Sequence, residues 1–172
     1  MDAEVFILLV DDEEPVLNAL ERTLRQDGYR ILRANDPTRA LEIVGREAID
    51  LIISDHLMPG MKGLDFLKEV RKVRPETIRI LLTGHADLEM AIQAINQGEV
   101  YRFFRKPWDD AELRMDVRIA VTQRRLERHN LELAEQVRAQ ANQLAELERV
   151  HPGITSVRRN RTGAIVIEDE DL

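Results

Sequence analysis

No cysteine occurs in the 172 residues, which excludes a disulfide framework and any thiolate metal site. That absence fits a reducing compartment. Long apolar runs are missing too: none approaches the ~18–20 residues that cross a bilayer. The start, "MDAEVF", is acidic and lacks the basic head of a signal peptide. A cytoplasmic protein with no membrane contact is expected. Positive charge is in deficit, with a formal net charge of −7, which argues against broad nucleic-acid binding. The arginine groups "RRLERHN" and "VRRNR" are interleaved with acidic or polar residues and fit solvated surfaces. What is present is 44% hydrophobic and 33% charged residues, the mark of a globular chain. The length allows one domain plus an appendage.

Five short apolar runs occur in the first two-thirds: "VFILLV" (5–10), "YRILRA" (29–34), "LIIS" (51–54), "IRILLT" (78–83) and "YRFFR" (101–105). Segments of helical period separate them. Val16, Leu17, Leu20 and Leu24 share one face, as do Leu64, Leu67 and Val70 with Val73 near them, and Leu88, Ala91, Ile92 and Ile95. Asp36 is placed to cap a helix that Pro37 opens, and Asp109 with Glu112 has capping-box spacing. Strand and helix alternating five times predict an α/β domain, a doubly wound five-stranded parallel sheet, over residues 1–122. The first, third and fourth runs are expected at its centre. The second and fifth, which carry arginines, are expected at its edges.

From about residue 113 to 149 there is neither glycine nor proline. Leu126, Asn130, Leu133, Val137, Gln140, Leu144 and Leu147 follow a 4-3-4-3-4-3 spacing, a heptad with Asn130 at an a position. A long helix is predicted, continuing the last helix of the domain, with residues 123–150 as a coiled coil that pairs two copies. A solvated helix packed on its own domain is the alternative. After His151-Pro152-Gly153, residues 151–172 read as a short terminal β-hairpin and an acidic tail.

Ligands of doubly wound sheets bind outside the carboxyl ends of the strands. Those ends carry Asp11 and Asp12 (first), Asp55 (third), Thr83 (fourth), and Arg105 with Lys106 (fifth). Each has a bland explanation alone, such as a helix start for Asp12 or a satisfied strand end for Thr83. Their convergence on one crevice argues for a site. Two carboxylates ~4 Å apart repel by roughly 4 kcal/mol at an effective dielectric of ~20, so three need compensation. Lys106 supplies one charge, and an oxygen-only acidic cluster favours Mg²⁺ for the rest. Asp55 beside a cation and a hydroxyl suits phosphoryl transfer as the nucleophile.

The segments "LLVDDEEPV", "IISDHLMPGMKG", "LLTGHAD" and "YRFFRKPW" together resemble, in order and spacing, the receiver domain of bacterial two-component response regulators, over roughly residues 5–122. The resemblance implies a flavodoxin-like fold and phosphorylation of Asp55 by a sensor histidine kinase, a phosphotransfer protein or a small phosphodonor. It implies Mg²⁺ held by Asp11, Asp12, Asp55 and the Leu57 backbone carbonyl, with Thr83 and Lys106 on the phosphoryl group. Phe103 matches the family's switch aromatic, which follows Thr83 inward. Leu57 and His85 occupy the two positions that set phosphoryl lifetime. Apolar Leu57 suggests slower loss and His85 could act either way, so the lifetime stays open. His56 is expected to pack or to be solvated.

The implied activity is a phosphoacceptor switch, with no turnover beyond its own phosphotransfer and dephosphorylation. It would act through the fifth helix and a homodimer made by residues 113–149. "INQGEVYRFFRKPW" looks like receivers ahead of cyclic-dinucleotide phosphodiesterases or transcriptional activators. The alternative is therefore a receiver module of, or acting in trans on, such an enzyme or DNA-binding protein. A phosphatase of the haloacid-dehalogenase type is disfavoured, because "DDEEP" lacks its Asp-x-Asp after the first strand.

Overall fold

The computed structural model describes residues 4–152. Five strands, β1 (Phe6–Val10), β2 (Arg30–Ala34), β3 (Leu51–Asp55), β4 (Ile78–Thr83) and β5 (Arg102–Arg105), alternate with helices. The helices are α1 (Glu14–Leu24), α2 (Pro37–Arg46), α3 (Gly63–Val73), α4 (Leu88–Asn96) and α5 (Asp110–Val150). All pairings are parallel, in the order β2-β1-β3-β4-β5. The second and fifth runs, β2 and β5, are the two edges.

Alternate strand residues feed two separate cores. Leu8, Val10, Ile52 and Leu81 pack with Phe66, Leu67 and Val70 of α3 and with Ala91 and Ala94 of α4. Ile7, Leu9, Ile53 and Leu82 pack on the other face with Leu17 and Leu20 of α1 and Leu113, Val117 and Ala120 of α5. Burying each such Val, Leu, Ile or Phe side chain stabilises by roughly 1.5–3 kcal/mol. The caps form as expected: Arg39 donates its backbone N–H to Asp36 Oδ1 at 2.8 Å, and Glu112 donates to Asp109 Oδ1 at 2.8 Å.

Two expected core positions are corrected. Val73 is 64% exposed, because it is the last residue of α3 and Phe66, Leu67 and Val70 already fill the face against the sheet. Ile92 is 46% exposed, because α4 turns its alanines inward: Ala91 and Ala94 are buried, and the next residue points ~100° away.

A first compact unit reaches Arg125, and the described residues from Leu126 to Pro152 belong to a second. In the first, α5 buries Leu113, Asp116, Val117, Ala120 and Val121. In the second, the helix leaves Leu126, Leu133, Val137, Leu144 and Leu147 exposed. Among the described residues no helix is long and apolar enough to cross a membrane. The hairpin and acidic tail expected beyond Pro152 lie outside the described residues.

Candidate functional site

In a parallel sheet every carboxyl end faces the same way. β1 is the first strand of the chain, and its neighbours in the sheet are β2 and β3. The connections therefore reverse direction at β1/β3 and leave a crevice there. Asp11 and Asp12 directly follow β1, Asp55 closes β3, Thr83 closes β4, and Lys106 directly follows β5.

Carboxylate oxygens of Asp11, Asp12 and Asp55 lie within 4.8 Å of one another. Asp11 is completely buried, Asp55 is buried and Asp12 is exposed. Lys106 Nζ bridges the buried pair, 2.8 Å from Asp11 Oδ2 and 2.8 Å from Asp55 Oδ1. The other Asp11 oxygen, Oδ1, accepts the Glu13 backbone N–H at 2.8 Å at the start of α1. It is thus Asp11 that ties the strand end to α1.

The charge is undercompensated. Burial pushes the Asp11 carboxyl above its ordinary value, and Asp55 adds to that, even though Lys106 and the Glu13 amide pull the other way. Burial works against the Lys106 ammonium as well, but its two carboxylates outweigh it and its pKa is raised. Three carboxylates facing one lysine, with oxygen as the only donor, fit a hard divalent cation of the Mg²⁺ kind.

Thr83 is fully buried, and among the described residues its hydroxyl makes a single long bond, 3.3 Å to the adjacent Gly84 carbonyl. Phe103 on β5 is half-buried against the α3/α4 core. It also lines an open groove of about 780 Å³ with Ile95, Tyr101 and Trp108. Leu57 is 60% exposed in the turn after β3. His56 is buried, with its backbone N–H on Leu82 O at 2.9 Å, which extends the β3–β4 pairing by one residue.

Sequence reasoning passed over Gly63. Its N–H donates to His56 O at 2.8 Å, and a Cβ built there would lie 1.8 Å from the Asp55 carbonyl oxygen. The first turn of α3 therefore rests on the backbone of Asp55, and only glycine allows it. The signal was available: a second glycine three residues after the Pro59-Gly60 turn, where Gly60 has φ +85°.

Comparison with known proteins bears on this geometry. Residues 7–118 match the family described as response regulator receiver domain. The chain is 37% identical over 134 residues to the hydrogenase transcriptional regulatory protein HoxA of Cupriavidus necator, covering 77% of this chain and 28% of HoxA. It is 34% identical over 147 residues to the response regulator protein TmoT of Ectopseudomonas mendocina, covering 86% of this chain and 62% of TmoT. Among solved structures, the signal receiver domain of an HD domain-containing protein from Pseudomonas fluorescens Pf-5 superposes with a TM-score of 0.69. The two are 40% identical, and 75% of this chain and 95% of that one are covered. The chain thus spans less than two-thirds of the length of these full-length regulators.

Proposed function

The chain belongs to the response regulator receiver domain family, and from that premise we propose that it is a phosphoacceptor switch acting through Asp55. The observation that carries this reading is Lys106 Nζ at 2.8 Å from both Asp55 and Asp11, with Asp12 beside them. An Asp55 carboxylate oxygen attacks the phosphorus of a histidine kinase's or phosphotransfer protein's phosphohistidine. The P–O bond forms as the P–N bond breaks, and the imidazole leaves. Asp11, Asp12 and Asp55, with the Leu57 carbonyl, would hold Mg²⁺, which when bound would supply positive charge against the transferred oxygens. Lys106 supplies a further fixed cation, and its contact with Asp55 orients the nucleophile.

The Thr83 hydroxyl is weakly engaged with Gly84 and free to turn onto the phosphoryl group, with Phe103 following inward. The output is a change in association, with two copies meeting through residues 113–149 of α5. A second reading treats the chain as the receiver module of a longer regulator or enzyme, or as acting in trans on one. The short share of HoxA that it covers and its likeness to a receiver from an HD domain-containing protein favour that reading.

The test is intact mass after incubation with acetyl phosphate and Mg²⁺. One phosphoryl group on the wild type, none on Asp55→Asn and none when Mg²⁺ is chelated is the expected result. No adduct on the wild type, or an equal adduct on Asp55→Asn, would remove Asp55 from this role.

A further inference from the structure

The second unit presents a row of layers along one helix face. Leu126, Leu133, Val137, Leu144 and Leu147 recur at heptad spacing along it and are 43–64% exposed. Asn130 and Gln140 complete the heptad and are exposed as well. We propose that residues 126–147 of two copies of this chain pair as a parallel, in-register coiled coil, with Asn130 and Gln140 as the layers that lock its register. This rests on the homodimer reading above.

The occupant is a second copy because the charge pattern admits one. Arg128, Glu132, Glu135, Arg138, Glu146 and Arg149 all fall at b, c or f positions, away from the seam. Beside the seam, the g residues His129, Gln136 and Gln143 face Ala134, Ala141 and Glu148 of the second helix. No like charges meet, and the Gln143 amide can donate to the Glu148 carboxylate. Arg149 and His129 are directed along their own helix, Arg149 to Glu146 at 2.7 Å and His129 to Glu132 at 3.9 Å.

The register follows from the layer chemistry. In register, Asn130 meets Asn130 and Gln140 meets Gln140. A slip of one heptad sets Asn130 against Val137, Leu133 against Gln140 and Gln140 against Leu147, stranding polar groups among apolar ones. An antiparallel pair could also match Asn130 with Gln140, flanked by Leu126–Leu144 and Leu133–Val137. Asparagine at an a position facing its own copy is the arrangement known to fix register in parallel dimers, at a cost in stability.

The cysteine-free chain makes the test clean. Leu133→Cys and Val137→Cys are each introduced singly into the full chain and oxidised, with Leu131→Cys, off the seam, as control. The expected result is a disulfide dimer from each seam variant alone and only background from the control. Cross-linking only when the two seam variants are mixed would overturn the parallel arrangement in favour of the antiparallel one.

No cross-link, with a monomer by light scattering, would overturn the homodimer itself; Asp55 phosphorylation, read separately by mass, would be untouched. For the register lock, mixed Leu126→Cys and Leu133→Cys chains should give little slipped product. That product should rise several-fold when Asn130→Val and Gln140→Leu are added. Equal slipped product in both backgrounds would remove the locking role.

Discussion

At one end of the sheet Arg79 is buried on β4, and its guanidinium donates to four carbonyl oxygens. These are Thr77 at 2.6 Å, Glu99 at 2.8 Å, Pro75 at 3.2 Å and Gly98 at 3.5 Å. Nearby, Asp50 accepts the Phe6 N–H at 2.9 Å, and Thr77 donates to Ile49 O at 2.9 Å. At the other end Asp11, more deeply buried still, shares one lysine with Asp55 and lies beside Asp12. Burial moves both groups toward their neutral forms, Arg79 down and Asp11 up. The first end answers that penalty with hydrogen bonds already made. The second leaves negative charge that one lysine does not balance. Polar burial at the first end is satisfied within the fold, and at the second it is what the proposed phosphoacceptor site rests on.

The largest effect is expected at Arg79. Arg79→Met leaves four carbonyls around an apolar side chain and is expected to cost roughly 3 kcal/mol, read from the urea midpoint. Acetyl phosphate should still modify Asp55 in the folded fraction at the wild-type rate. A loss no larger than that of an exposed substitution would mean that both ends tolerate unpaired polar groups alike.

A smaller effect is expected at Asp27, after α1, which accepts from Arg114 Nε at 3.1 Å and from Arg118. The Arg114 bond chiefly holds the Asp27 carboxyl below its ordinary value. A lowered carboxylate pKa stabilises above the unfolded value and is lost as pH falls through the folded one. Asp27→Asn should therefore lower Tm at neutral pH, with the gap to wild type closing in acid. A pH-independent gap would mean that packing, not charge, carries the contact.

Much of this contrast was legible in the sequence at one end only. Asp11, Asp12, Asp55, Thr83 and Lys106 stand out because each ends an apolar run, where a polar group is anomalous. The two edge strands were legible for a related reason: the second and fifth runs carry arginines. Arg79 in the fourth run breaks that pattern, an arginine in a central strand. Its partners are backbone carbonyls, which carry no residue signature, so nothing local announced them. Val73 and Ile92 fit the helical period and are still exposed, because period fixes a face but not where the neighbouring sheet stops. The Asp27 contact with Arg114 and Arg118 spans 87 and 91 residues and has no local pattern at all.

The most direct measurement is thermal unfolding of wild type and Asp11→Asn, with and without Mg²⁺ at matched ionic strength. A raised carboxyl pKa favours the fold below the unfolded value, and that contribution is lost as pH rises through the folded one. Ionised Asp11 therefore strains the metal-free protein at neutral pH. Asp11→Asn is expected to be more stable than wild type without Mg²⁺, by about 1 kcal/mol. Mg²⁺ should then raise the Tm of wild type and leave the variant nearly unmoved. An Asp11→Asn protein less stable than wild type, or one that gains as much from Mg²⁺, would contradict the claim that this end of the sheet holds charge in wait for a cation.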